Sequence, residues 1–568
     1  MKFFKSYTFT YAVMVLSFIF FLLLLATLLT SFLFPVYPDE IAARLTLSRL
    51  FYDFPDKAST MPTCISAFTQ RWPVSWLFPG LINFLLFGFI QNPIEERVMG
   101  GVIGLLFIGI LFFYIRKRVF QYDTIKYNCK LPYYENANYF LLVLIVSIMS
   151  VGVYPLFLVL TKQEELVPIS LMILILLLIY IRDVENNLSF FKKIIISFFY
   201  FSSVSIIIFS HPKGEILIPF SLIIGIFIFS KFKSFSFIFL FFIVFSFQVK
   251  QGYSAWAHSL QCPEVPGLND LTKGFYIDPF SLYYDPHYFF TTVGESFKAF
   301  PVYLLQIGFR SSTDINYLPH NTLGFFEEIA NFFIHLNVAL FFILTPFLLV
   351  YFYYRYDYKN KKIISINFIL LVLYFSLVIT GIFNLSKNWY DAGYLYSILL
   401  VVLIVMIGEN LEKINFCKVF TCFFIYILPV TILSQGSFVH RLLPEFLRGY
   451  SGPSISMINY IKNRKLINQS IKDVARRAHI SSVNGKRIIV DDLTYFYFNK
   501  TYIPMPITYI FLKNKKDSIH SFILNSNSSG LIVRCSYMPK PYFSLAVREG
   551  NICAIPREKL KNLPVTNW

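Results

Sequence analysis

Apolar and polar positions alternate along this chain in long blocks. Residues 8–34 read TFTYAVMVLSFIFFLLLLATLLTSFLF, longer than the roughly 20 apolar residues that carry a helix across a bilayer. Ten further apolar runs follow, at about 96–115, 138–160, 166–182, 193–210, 215–230, 234–249, 332–352, 363–383, 394–408 and 415–434. The stretch 76–91 is also apolar, but it is short and bounded by prolines, so it reads as a helix lying on the outer surface. The positive-inside rule tests that choice. With eleven spans, Lys2 and Lys5, Arg116 to Arg118, Lys192 and Lys193, Lys231 and Lys233, Arg355 with Lys359 to Lys362, and Lys413 with Lys418 all fall on one face. Counting 76–91 as a twelfth span would separate Arg116–Arg118 from Lys2 and Lys5. The pattern therefore predicts a cytoplasmic N-terminus, with loops 35–95 and 250–331, the turns 161–165, 211–214 and 384–393, and the tail outside.

After Gln435 the apolar blocks stop. A helical stretch near 466–479 precedes short strand-like runs at Arg487–Val490, Tyr495–Phe498, Ile507–Leu512 and Leu531–Arg534. The predicted fold class is thus an α-helical polytopic membrane protein, residues 1–435, carrying a small outer-face α/β domain, residues 436–568.

Composition agrees: 56% hydrophobic, 19% aromatic and 14% charged residues, with mean hydropathy +0.59, exclude a soluble globular fold. The first apolar run is too long for a signal-peptide core and no small-x-small cleavage site follows, so it is expected to be retained. Inner-face Lys and Arg, with more in the tail, account for the net charge of +18. No basic-aromatic module supports a nucleic-acid partner. The seven cysteines include no CxxC and no Cys/His cluster with zinc spacing. Cys535 and Cys553 read equally well as a disulfide in an oxidising compartment or as buried free thiols.

Four polar groups stand beside outer span ends: Pro38-Asp39-Glu40, Lys162-Gln163-Glu164-Glu165, His211-Pro212-Lys213-Gly214-Glu215 and Ser386-Lys387-Asn388-Trp389-Tyr390-Asp391. Carboxylates at a membrane surface are costly to place. Those of Asp39 and Glu40 precede an amphipathic stretch with Arg44 and Arg49 on its polar side. Each turn alone also reads as a solvated connection. Asp39 suits an N-cap, His211 suits a turn brace, and Asp491-Asp492 suits the end of a strand.

A first span, PDE directly after it, and an amphipathic helix in a large first outer loop resemble the GT-C superfamily of membrane glycosyltransferases. Glu96-Arg97-Val98-Met99-Gly100-Gly101-Val102-Ile103-Gly104 resembles the start of that family's second span. Glu164-Glu165, after the third span, resembles its second acidic site. The likeness covers residues 1–230 in motifs and the remainder in architecture only. The superfamily includes protein O-mannosyltransferases, the lipid A aminoarabinose transferase and O-antigen glucosyltransferases.

The resemblance implies transfer of a sugar from a polyprenyl-phosphate donor to an outer-face acceptor, with inversion, in a bacterial inner membrane. The acceptor would be lipopolysaccharide O-antigen, another surface glycan or a protein. Asp39 would then be the general base and Glu40 would bind substrate hydroxyls. The leaving phosphate needs fixed cations, for which Lys57, Arg71, Lys213 and Lys387 are candidates. Arg44, His211 and Tyr390 complete the expected substrate-binding set. Glu164 and Glu165 would contact substrate or, as in some members, hold a divalent cation. A basic clamp makes a metal dispensable, so no cofactor is expected. The rival readings are a transporter or flippase of lipid-linked sugars, with the carboxylates as a proton relay, and an O-antigen polymerase or ligase.

Overall fold

The computed structural model describes residues 7–36, 92–126, 137–160, 166–184, 188–210, 212–260, 277–309, 323–359, 365–385, 387–411, 423–449, 455–481, 486–495, 497–498, 504–507, 524, 528–538 and 540–561. Among these, nine helical segments are long and apolar enough to cross a membrane. The chain is an integral membrane protein. Its helices are α1 (Tyr7–Phe32), α2 (Pro93–Lys126), α3 (Ala137–Met149), α4 (Tyr154–Leu158), α5 (Leu166–Asp183), α6 (Phe190–Ser210), α7 (Ile218–Lys231) and α8 (Phe235–Leu260). They continue with α9 (Pro286–Leu305), α10 (Phe325–Phe352), α11 (Ile366–Phe383), α12 (Trp389–Glu409), α13 (Leu428–Arg448) and α14 (Met457–Arg477). A 3₁₀ turn, Pro212–Leu217, leads into α7.

Burial ranks these helices. The apolar part of α12 is 94% buried, against 22% for α1, so α12 is the centre of the bundle and α1 lies at its edge. Gly393 and Gly408 let neighbours approach α12 closely. A Cβ at Gly393 would meet the Phe157 ring at 2.7 Å, and one at Gly408 the Tyr114 ring at 2.7 Å.

At its C-terminal end α12 carries Glu409, a carboxylate disfavoured by the helix dipole. Three side chains compensate it. Arg118 donates to Oε1, Arg182 Nη1 reaches Oε2 at 2.6 Å, and the Tyr114 hydroxyl reaches Oε1 at 3.2 Å. Asn410 Nδ2 donates to Asn367 Oδ1 at 2.9 Å in the same layer.

The expected span 138–160 is not one helix. It breaks after Met149, and α4 is a single buried turn beginning at Tyr154. A broken helix leaves polar backbone at membrane depth, tolerated where other groups satisfy it. Here α13 supplies them: the Thr431 hydroxyl donates to Ser147 O and the Ser434 hydroxyl to Ser150 O, both at 3.3 Å. Ser434 Oγ also accepts from Gly152 N at 3.1 Å. Gly152 sits at φ +54°, and a Cβ there would lie 2.0 Å from Ile307 O. Two bounds move as well: α10 begins at Phe325 rather than 332, and the helix over the expected last span continues past 434 to Arg448 without being among the nine.

The tail is a five-stranded mixed sheet of order β2-β1-β3-β5-β4, with β1 (Arg487–Asp491), β2 (Pro504–Ile507), β3 (Ser528–Arg534), β4 (Val547–Glu549) and β5 (Ile552–Pro556). β1 runs parallel to β2 and β3, while β5 is antiparallel to β3 and β4. A short helix, α15 (Arg557–Lys561), follows. The strand expected at Tyr495–Phe498 is instead the end of a helical turn, Asp492–Tyr495, continued by a turn in which Tyr497 N donates to Thr494 O at 3.0 Å. The Asp491 carboxylate makes that turn by accepting from Thr494 N and Arg534 N, each at 2.8 Å, as its strand-end reading requires. The tail is tied to the bundle by a backbone bridge, Val36 N to Ile455 O at 3.1 Å and Ile455 N to Val36 O at 2.9 Å.

Cys535 and Cys553 are disulfide-bonded across the β3 and β5 ends, 18 residues apart in sequence. A loop of that size gains about 3 kcal/mol from the constraint. Replacing both cysteines by serine should lower the free energy of unfolding of the tail by about 2–4 kcal/mol, read by protease protection in urea. Peptide mapping after alkylation without reductant should recover the linked pair. Two freely alkylated thiols in folded protein would contradict this.

Candidate active site

Apolar surroundings decide which polar side chains here are purposeful, since a lone charge inside a membrane bundle costs several kcal/mol. At the end of the bundle opposite Glu409, the chain leaves α1 through Phe34, Pro35 and Val36 and passes Arg97 of α2. Arg97 is 1% exposed. Its Nη1 donates to Val159 O at 2.8 Å and its Nη2 to Pro35 O at 3.4 Å, with the guanidinium 5.3 Å from the Phe34 ring centroid. The other side of Phe34 meets Trp389 edge-on at 5.5 Å, which joins Arg97 to the start of α12.

Two residues further on, Asp391 ion-pairs with Lys213. Both side chains are 2% exposed. Asn388 caps α12 by accepting from Asp391 N at 3.0 Å. Asp391, in the first helical turn, also meets the positive end of the dipole. The Lys213 ammonium lies 5.7 Å from the Tyr394 ring centroid. A Cβ at Gly214 would sit 1.7 Å from Ile207 O, so the Lys-Gly sequence is what lets the 3₁₀ turn press against α6. Beyond it stand Glu215 and, on α8, Gln251, which is fully buried with neither amide atom hydrogen-bonded.

Lys387 lies in the turn between α11 and α12. Its three protons go to Gly381 O at 2.7 Å, Ser296 Oγ at 2.9 Å and Asn384 O, and the Tyr303 ring lies 4.8 Å away. The ammonium thus closes the C-terminus of α11, a favoured place for a cation. Burial pulls its pKa down to about 8; Asp391 opposes and Lys213 adds to that shift. Tyr390 is buried beside Trp389, ring centroids 6.0 Å apart.

Between α1 and α2 a groove of about 530 Å³ runs toward this end. Its walls include Leu24, Leu28, Val102 and Leu105, its floor comes from Met149, Pro155 and Leu158, and Arg97 lines it beside Thr27 and Ser31. Gly100 and Gly104 let α2 descend onto the floor. A Cβ at Gly100 would lie 1.9 Å from Val159 O, and one at Gly104 would lie 2.4 Å from Leu158 O. Gly101, on the groove side, has open space instead.

Of the residues expected from sequence, Lys213, Lys387 and Tyr390 converge here. Asp39, Glu40, Arg44, Lys57, Arg71, Glu164, Glu165 and His211 lie outside the described residues. Sequence reasoning did not select Arg97 and Asp391 as site residues, although each is a charged residue at the mouth of an apolar run, which is itself the signal. It also missed Glu327, which accepts from Gly324 N at 2.9 Å and faces His440 Nδ1 at 3.1 Å and Arg441 Nη1 at 3.6 Å.

Two outcomes follow. Lys213→Met strands a buried carboxylate and should cost about 3–5 kcal/mol of stability, whereas Lys213→Met/Asp391→Leu should recover most of it. Thermal unfolding of the four proteins in one detergent gives the coupling; additive losses would contradict the pairing. For Lys387, the folded pKa near 8 lies below the ordinary value of 10.5, so the unfolded chain binds the proton more tightly between those values. Its contribution therefore rises with pH across that window. The Tm difference between parent and Lys387→Met should shift in favour of the parent from pH 7 to pH 9.5. A difference independent of pH would contradict the depressed pKa.

No family model matches the sequence, and no curated protein is significantly similar to it. Two solved structures are similar over nearly the whole chain, both of ArnT from Cupriavidus metallidurans. The one bound to undecaprenyl phosphate is 9% identical with a TM-score of 0.44, covering 95% of this chain and 97% of that one. The apo form is 10% identical with a TM-score of 0.34, covering 97% and 99%. At these scores the similarity is one of general arrangement and carries no functional argument.

Proposed function

We propose that the chain is a membrane glycosyltransferase of the GT-C type that takes its sugar from a polyprenyl-phosphate donor. One observation carries this reading: the apolar groove between α1 and α2 is lined by the guanidinium of Arg97 at the end where the other buried charges gather. An isoprenoid tail matches the walls, and a phosphate matches a cation at the groove's polar end. Arginine is suited to that task because its planar fork binds two phosphate oxygens at once.

The chemistry needs a base near the same point. Asp39, three residues after Val36 in the sequence, is the group proposed for that role. In the reaction, the acceptor oxygen bonds to the anomeric carbon as its proton passes to Asp39. The bond from that carbon to the phosphate oxygen breaks, and its electron pair leaves with the lipid phosphate. Glu40 would hold sugar or acceptor hydroxyls. Lys57 and Arg71 are further candidates for the departing charge, with Arg44, Glu164, Glu165 and His211 completing the pocket. Lys213 and Lys387 would act on the site through Asp391 and the α11–α12 turn. O-antigen, another surface glycan or a protein is the acceptor class this reading admits, on the outer face of a bacterial inner membrane.

The break between α3 and α4 favours a second reading, a flippase of lipid-linked sugars, since transporters place broken helices at their sites. Turnover separates the two. Purified protein in detergent should move sugar from a synthetic polyprenyl-phosphate donor to an acceptor glycan, which a flippase would not do. Asp39→Asn should lower that rate by roughly 10²–10⁴ at unchanged protein level. Gly101→Phe should fill the groove without a backbone clash and weaken use of a long-chain donor at least about tenfold, roughly 1.4 kcal/mol, while a short-chain donor is spared. Full turnover by Asp39→Asn, or equal use of both donors by Gly101→Phe, would overturn the respective assignment.

A further inference from the structure

The tail carries a second cavity that the transfer reading does not use. It has a volume of about 570 Å³ and is lined by Arg477, His479, Lys486, Arg557, Lys559 and Lys561, with Glu558 as its one acid. Strand register explains why these residues meet. Arg487 pairs with Ser528 at the start of two parallel strands, and Gly530 pairs with Pro556 at the end of antiparallel β5. Lys486 and the first residues of α15 therefore share one edge of the sheet. α14 delivers Arg477 and His479 to that edge, because Ile480 packs onto Gly530: a Cβ there would lie 2.8 Å from Ile480 Cδ1.

This edge points away from the membrane bundle. Tyr460, near the start of α14, stands five residues after Ile455, which is bridged to Val36 of the bundle, and lies 5.2 Å from Tyr497, past the far end of β1. Seventeen helical residues separate it from Arg477, about 25 Å along the axis. Two of the cations are anchored. Arg477 donates to Arg548 O at 2.9 Å and pairs with Glu549 at 2.6 Å, and Arg557 donates to Leu524 O. The Arg557 Nε–H is buried with no hydrogen-bond partner among the described residues. Lys486, Lys559 and Lys561 are exposed and form no ion pair among the described residues. Like charges held around one hollow repel each other, and an anion carrying several charges relieves that repulsion at all of them. Ser528 and Ser529 add hydroxyls to the same wall.

We propose that this cleft binds a ligand bearing two or more phosphate groups, presented from the aqueous side. The shared chemistry fits a phosphorylated sugar unit of a glycan or a free oligophosphate. The proposal is independent of the transfer reaction, because no group placed in that reaction lines the cleft. Titration calorimetry on the full chain in non-ionic detergent at low salt, with glucose 1,6-bisphosphate and with tripolyphosphate as probes, tests it. Saturable binding of both is expected, weakening as salt screens the charges. Tighter binding of the sugar bisphosphate would mark a glycan-borne ligand, and tighter binding of tripolyphosphate a free anion. Lys486→Glu/Lys559→Glu/Lys561→Glu alters exposed side chains only and should weaken binding at least tenfold at unchanged Tm. No saturable binding of either probe, or equal affinity in the triple variant, would overturn it.

Discussion

Everything at the membrane end of this protein depends on one constraint: α12 is buried along nearly all its length, yet both its ends carry carboxylates. Both carboxylates are largely withdrawn from water, the Asp391 side chain 2% and the Glu409 side chain 8% exposed, so each is matched by protein. Asp391 is matched by Lys213, and Glu409 by Arg118, Arg182 and Tyr114. These pairs come from three other elements, α2, α5 and the turn before α7, while Asn410, just past the end of α12, bonds Asn367 of α11. The ionic ends therefore fix which helices surround α12 and at what height. The apolar contacts between them are interchangeable by comparison, since a Leu against an Ile carries little register information.

The same logic explains why the unusual backbone sits where it does. The chain between Met149 and Tyr154 abandons its helix only where α13 offers two hydroxyls and Ile307 offers a carbonyl, which accepts from Val153 N at 2.9 Å. In return, α4 and the residues after it provide the Val159 carbonyl that Arg97 grips and the surface onto which Gly100 and Gly104 settle. The groove is thus a by-product of a helix that stops early. A continuous third span would run past Arg97 and leave neither its acceptor nor a floor.

Much of the fold was legible in the sequence because lipid imposes a coarse rule that apolar length alone satisfies. The spans at α5 through α8 and at α11 fall close to where hydropathy puts them, and the tail was separable by its loss of apolar runs. The broken third span was not legible: Ser147 to Gly152 is apolar enough to read through, and the satisfying hydroxyls lie nearly three hundred residues away. β4 and β5 were hidden by brevity, since neither strand exceeds five residues. The site was half legible. The turns around Lys213 and Lys387 announced themselves by charge, but not that Lys213 would pair with Asp391 or that Lys387 would close a helix. Tertiary partners, not residue types, separate a cation that grips substrate from one that holds the scaffold.

That distinction bears on how a lipid-borne reaction could be held steady here. Lys213 and Lys387 carry their charge within a few residues of Trp389 and Asp391, yet their protons are already engaged by protein. Fixed dipoles and charges of this kind act on a reacting centre without moving, which is how a low-dielectric site stabilises charge as it develops. A cation free to swing onto a phosphate would have to reorganise at each turnover. The arrangement around α12 instead holds each charge in one place: Lys213 against Asp391, Lys387 against the end of α11, and Arg97 against Val159 O and Pro35 O. The buried pairs hold an electrostatic frame around the start of α12.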